Sequence, residues 1–366
     1  MDTIGVLDHI RLALIPQRHW KAHEFAFFLH DSVLHALVEY EQSGAHNWVT
    51  DAFEQISKDH QIGDDFDILK FMKEQDLIEP YKHHLISHLV LRLVGDMLNF
   101  LYESFSAFEK RKFTVGWSLL RKPIKENLLF LSWILANEVE FIEKFESDNY
   151  KTLNNIKKDK QIEIFDTAIK KIPNSNAFSP ELLWDHIYSK NHSSGFEPTW
   201  QRATHLITSH GDLLKTGDYT INLIFDNPYS NHHYDLLYGK LPYVMIYLSS
   251  IAFECFNRIL KMNEQTYNHM AIISMGCYEA LFMNNRRPPL ISSLNKSFKP
   301  FLKCIHCGKE IRINKKNAPA MYIRDQLACD KCGLQSAFPF YWLMGRSKVT
   351  VSADIEKNGR FAKNEV

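Results

Sequence analysis

The sequence predicts a mainly α protein: a multi-helix bundle followed by a small C-terminal β module. Three observations carry this. Apolar residues recur at helical spacing through most of residues 1–283. Residues 286–289 read Arg-Arg-Pro-Pro and interrupt that pattern. Beyond the break stand two matched cysteine pairs, Cys304 with Cys307 and Cys329 with Cys332, among short strand-like runs. At 366 residues, 45% hydrophobic with 25 Phe, the chain can fill one large domain or two ordinary ones around a sizeable core.

The elements follow in order. Phe25, Phe28, Leu29, Val33, Leu37 and Tyr40 recur at helical spacing and predict a helix over 18–41. Asn47 is placed to cap a helix running toward residue 60. Leu85, Leu89, Leu93, Met97 and Leu101 stand four apart in a long helix over 80–110. Residues 113–137 are more apolar and hence more central, and Pro123 inside them predicts a kink or a boundary, because proline removes an N–H and clashes with the preceding turn. Residues 138–172 read as a charged, amphipathic pair of helices. Near residue 173 the composition shifts toward Pro, Ser, Asn, Gly and His, a possible sub-boundary, with shorter helices over 180–189 and 198–208. Ser179 before Pro180 is an N-cap followed by a first-turn proline, and Ser230 marks another helix start. Residues 243–261 and 267–283 read as two further core helices, with Cys255 and Cys277 as small core residues.

The predicted organisation is an all-helical domain over 1–283, a linker over 284–297, a cysteine module over 298–348 and a polar tail over 349–366. Residues 310–313, 320–323 and 335–340 are the strand-like stretches. Each cysteine pair is C-x2-C followed by glycine, Gly308 and Gly333. Four thiolates at this spacing can close a tetrahedral shell around one Zn²⁺, and the glycines suit the tight turn that aims backbone amides at sulfur. The two C-x2-C-G units with a 21-residue spacer resemble a zinc ribbon. That resemblance implies two knuckles with short antiparallel strands, holding one structural zinc on Cys304, Cys307, Cys329 and Cys332. With four protein ligands no coordination position is open for catalysis.

Charge is unevenly placed. Net charge is zero, yet residues 284–348 carry 13 Lys/Arg against 3 Asp/Glu, leaving an acidic body beside a basic module. Lys303, Lys309, Arg312, Lys315, Lys316, Arg324 and Lys331 are candidates to contact RNA or DNA phosphates, with Phe338, Phe340, Tyr341 and Trp342 as stacking faces. The same residues could instead dock the module on the acidic body or on a protein partner. No run reaches the roughly 18 uninterrupted apolar residues of a membrane span, and the N-terminus lacks a basic signal-like region, so no membrane role is expected. Thiolate zinc and free thiols suit a reducing, cytoplasmic location.

Whether the chain is an enzyme stays open. Walker A, G-x-G-x-x-G, G-x-S-x-G and H-E-x-x-H patterns do not occur. Histidines are abundant, 18 in all, with His186, His192, His205, His210, His232 and His233 close together near Arg202, Asp226, Tyr234 and Asp235. These form either a polar pocket or scattered loop and helix-end residues. His84 and His88, His19 and His23, and Asp31 and His35 are four apart, as two ligands on one helix face would be. Arg18 and His23 fit the R-x4-6-H pattern of HEPN ribonucleases, and the apolar helix with Arg121 and Glu126 resembles the core helix of bacterial HEPN-like proteins. That resemblance implies a metal-independent ribonuclease of a toxin or phage-defence system, with Arg18 and His23, or Arg202, His205 and His233, as catalytic candidates. The competing expectation is a zinc-binding helical protein whose basic ribbon contacts nucleic acid or a protein partner.

Overall fold

The computed structural model describes residues 3–47, 49, 67–147, 155–190, 195–207, 216–217, 221–222, 229–284 and 288–337. The helix expected after Asn47, His192, His210, Asp226, the Arg286-Arg287 pair, the aromatics from Phe338 to Trp342 and the tail over 349–366 lie outside them.

Among the described residues the helices of seven residues or more are, in chain order, α1 (Trp20–Ser43), α2 (Ile68–Glu74), α3 (Ile78–Glu109), α4 (Phe113–Lys122), α5 (Leu128–Ala136), α6 (Glu138–Glu146), α7 (Lys158–Ile169), α8 (Pro180–Tyr188), α9 (Glu197–Thr204), α10 (His232–Tyr238), α11 (Leu241–Ile259), α12 (Glu264–Phe282), α13 (Pro289–Ser297) and α14 (Ala318–Arg324). Two three-residue strands, β1 (Gln326–Ala328) and β2 (Gln335–Ala337), pair antiparallel with Leu327 opposite Ser336.

Helix α11 is the axis of the bundle. It is buried along nearly its whole length and packs against α1, α3, α5 and α12. Tyr40 of α1 stacks on Phe256 at 5.0 Å and donates its hydroxyl to the Leu260 carbonyl at 2.5 Å, and Tyr247 meets Ser132 of α5 at 3.0 Å. These bonds satisfy the polar ends of large rings inside the core. Cys255 and Cys277 are core residues, as expected, and burial raises both thiols, Cys255 to about 12. The stretches Ile78–Glu109 and His232–Ile259 are long and apolar enough to cross a membrane by length and composition. In the second, 83% of the apolar window is buried inside the protein, so core packing accounts for its composition.

Pro123 acts where its chemistry says it should. Between α4 and α5 the chain makes one π turn over Pro123–Asn127, closed by the Leu128 amide on the Pro123 carbonyl. The wider turn accommodates a residue that cannot donate. Arg121 and Glu126 pair across it at 2.8 Å on the surface. Ser179 caps α8 by accepting from Leu182 at 3.2 Å.

Three stretches differ from the sequence reading, the first being residues 310–313, which form no strand and keep a single bridge of Glu310 to Lys303. Residues 289–297, expected in a linker, form α13, whose first amides are held by a buried side chain: the Glu279 carboxylate accepts from Leu290 at 2.9 Å and Ile291 at 3.1 Å. Residues 320–323, expected as a strand, belong to helix α14. Pro319 sits in its first turn, Asp325 ends it in the left-handed conformation, and Met321 and Tyr322 bury against α12. The Tyr322 ring approaches Gly276 so closely that any side chain there would collide with it.

Candidate metal centre

The cysteines are presented by two hairpin turns built alike. In the first, Ile311 donates to the Leu302 carbonyl at 2.8 Å, Lys303 bridges Glu310, Cys304 donates to Lys309 at 2.8 Å and Gly308 donates to Cys304 at 3.0 Å. In the second, Cys329 donates to Leu334 at 2.9 Å and Gly333 to Cys329 at 2.9 Å, with β1 and β2 continuing the hairpin. Gly308 and Gly333 adopt φ +67° and +72°, the left-handed conformation these turns require and glycine supplies without strain. An ion pair of Lys309 with Asp330 at 3.0 Å ties one turn to the other.

The four sulfurs face each other. All lie within 4.8 Å, with Cys304 to Cys332 and Cys307 to Cys329 each 3.6 Å apart. A tetrahedron of Zn–S bonds near 2.3 Å has edges of roughly 3.8 Å, so the cage already has the size of a ZnS4 shell. Electrostatics agree. The Cys307 amide, aided by that of His306, holds the Cys304 thiol down to about 6. The Cys332 and Lys331 amides lower Cys329 in the same way. At Cys332 the Leu334 amide pulls downward, but partial desolvation of the sulfur and the neighbouring sulfurs of Cys304, Cys329 and Cys307 win and push it up to about 12. Backbone amides thus favour the thiolate form at Cys304 and Cys329, and a cation would offset the repulsion among neighbouring sulfurs. The residues fit a divalent metal, which would supply cross-linking of the two turns. Cys304 and Cys329 are buried, Cys307 half-buried and Cys332 exposed.

The basic candidates divide into two groups. Arg324 donates to the Ile4 carbonyl at 2.8 Å and fills the space over Gly5, and Lys315 donates to the Met283 carbonyl, so both engage the helical body. Lys309 pairs with Asp330. Lys303, Arg312, Lys316 and Lys331 are exposed.

The catalytic candidates occupy different surroundings. Arg18 is half-exposed and pairs with Asp235 at 2.7 Å, and the same carboxylate oxygen meets His19 Nε2 at 2.7 Å. His23 is fully buried; its Nδ1 meets the Tyr238 hydroxyl at 2.6 Å and its Nε2 meets Glu109 at 3.1 Å, with Arg11 on that carboxylate at 2.6 Å. Burial keeps His23 below its ordinary value, with Glu109 opposing. Arg18 and His23 therefore belong to one polar layer, joined through Asp235, His19 and the Tyr238 ring, but with His23 sealed at its inner end. The partners Glu109 and Asp235 lie 86 and 217 positions from the residues they bind, so no local motif announces them. Arg202 and His205 are exposed at and just beyond the end of α9. His233 on α10 accepts from the Trp117 indole at 3.3 Å and packs on Phe113 at 4.7 Å. His186 is buried beside Tyr243, and His232 is exposed. No family model matches the chain, and comparison with the curated proteins and with the solved structures returns no match.

Proposed function

We propose that this chain is a zinc-binding helical protein whose basic C-terminal module contacts the phosphates of a nucleic acid. The observation that carries the reading is the alternation in the first cysteine turn. Leu302, Cys304, Ile311 and Ile313 are buried, while Lys303 and Arg312 face outward with Lys316 just beyond them. Glu310 is the acidic exception on that face. Phe301 and Ile305 are exposed beside it, 56% and 83%. A metal-fastened, outward-facing row of cations is what a phosphate backbone meets favourably, at little entropic cost. The thiolate cage further supports a reducing, cytoplasmic setting for this function.

The test is fluorescence anisotropy with single-stranded RNA and duplex DNA across a salt series. Binding should weaken steeply with salt, and replacing Lys303, Arg312 and Lys316 with Gln should cut affinity about tenfold at low salt and flatten the slope. Arg324→Gln should change affinity little, since its guanidinium is engaged by the Ile4 carbonyl. Absence of binding at low salt in zinc-loaded protein would overturn the reading and leave docking on a protein as the module's role. The ribonuclease alternative needs a histidine free to accept a proton from substrate, and His23, buried with both ring nitrogens engaged, is poorly placed for that.

A further inference from the structure

A second group of metal-type ligands lies at the far end of α1. Gly44 ends that helix with φ +66°, and the turn folds back, closed by the Asn47 amide on the Gly44 carbonyl at 2.8 Å. His83 of α3 fastens this turn by bonding the Ala45 carbonyl at 3.0 Å. The result presses His46 against α3, where His84 and His88 stand one turn apart. The ring centres of His84 and His88 are 4.4 Å apart, and those of His46 and His88 are 5.2 Å apart. The Nδ1 atoms of His46 and His84 are both buried without a hydrogen-bond partner. Glu41 stands 3.7 Å from His46 Nε2.

We propose that His46, His84 and His88 bind a divalent transition metal, zinc being the leading ion, at a site separate from the four cysteines. Burying an imidazole nitrogen without a partner is costly, and placing two such nitrogens in one cluster is not a stabilising arrangement in itself. A borderline cation removes that cost, because neutral imidazole nitrogen is its preferred ligand. The spacing suits it. With Zn–N bonds of about 2.0 Å and the ring centre roughly 1.2 Å beyond the nitrogen, three imidazoles around one ion have centres about 5 Å apart. Among the described residues only the four cysteines already bring every ligand atom within 4.8 Å. Turning about Cβ–Cγ exchanges ring edges with small displacement of the ring centres, and metal binding would require such a turn to aim one nitrogen of each ring at a common point. Three protein nitrogens leave a fourth position for Glu41 or for water. Arg92, one turn beyond His88, adds a positive charge to the surroundings and Glu41 a negative one.

The experiment uses the untagged full-length chain, stripped of metal and reloaded with Zn²⁺. Wild type should bind about two ions, Cys304→Ser should retain the histidine-bound ion, and His84→Gln with His88→Gln should weaken only the histidine-bound ion, by roughly tenfold or more. Zinc-edge X-ray absorption of doubly loaded wild type tests the same point without a variant. It should show nitrogen near 2.0 Å as well as sulfur near 2.3 Å. Saturation at one ion with an all-sulfur shell would overturn the second site while leaving the cysteine centre intact. A second ion that binds the histidine variants undiminished would also overturn it. Zinc bound through nitrogen alone would instead count against the cysteine centre.

Discussion

Glu24 and Glu279 each anchor backbone that is remote from them in sequence. Glu24, fully buried on α1, accepts from the amides of Ile4, Gly5 and Val6 at 2.7–2.9 Å, and Glu279 holds the start of α13. Charged acceptors on several N–H donors are among the stronger single contributions a side chain makes. Neither could be read from the sequence, because the partner of each is a backbone amide and leaves no residue signature. His269 on α12 gives the residue scale its pH dependence. Burial lowers it to about 4 from the ordinary 6.5. The folded value lies below the unfolded one, so between pH 6.5 and 4 the unfolded chain binds more protons. The stabilisation is complete above pH 6.5, is lost as pH falls through 4, and is flat below that. With allowance for solvent screening the effect is on the order of 1 kcal/mol. Urea midpoints at pH 7 and pH 5 should therefore fall further for wild type than for His269→Gln; the same fall in both would show that this histidine is not the linked group.

At the scale of elements, the helices were legible and the module's interior was not. Leucines at four-residue spacing, the Ser179-Pro180 start and Pro123 are local signals, and α3, α8 and the π turn between α4 and α5 appear where they point. The paired C-x2-C-G turns were equally legible, since ligand spacing and glycine conformation are both local requirements. Residues 320–323 failed because a short apolar run is compatible with strand or helix, and the decision came from packing on α12. Gly276 is the contact through which that packing acts. A methyl group there overlaps the Tyr322 ring, so Gly276→Ala must push α14 outward. The expected cost is about 1–3 kcal/mol, as for other overpacked interiors. Combining it with Tyr322→Leu should recover part of this loss, and the four-cysteine site should still load with zinc. If Gly276→Ala leaves the thermal midpoint unchanged, the close approach of α12 and α14 is not a determinant of docking.

For the whole molecule the question is what docks residues 288–337, with nine Lys/Arg against three Asp/Glu, on the helices that precede them. Opposite charge alone, screened within about 10 Å at ordinary salt, does not fix an orientation. The contacts that do are specific: Arg324 to Ile4, Lys315 to the Met283 carbonyl, Glu279 to the first amides of α13, and Tyr322 on Gly276, with Asn295 tying α13 to Ile313 inside the segment. They hold α13 and α14, which lie before and between the cysteine turns, whereas the turns themselves meet through the Lys309–Asp330 ion pair and the facing sulfurs, which a metal would bridge. Structural zinc supplies on the order of 10 kcal/mol in small modules, comparable with the whole stability of a domain. Most of the buried core gathers around α11, continuous with the residues that pack α13 and α14, whereas the cysteines lie outside those helices. Zinc loss through Cys329→Ser should therefore undo the module and spare the body. Far-UV circular dichroism should retain most of its helical signal, while limited proteolysis opens new cuts within residues 298–337. A protease pattern identical to wild type would mean that packing on α12 alone sustains the turns. The thiolate cage would then be dispensable for the fold, and its selection would have to be explained by the surface it presents.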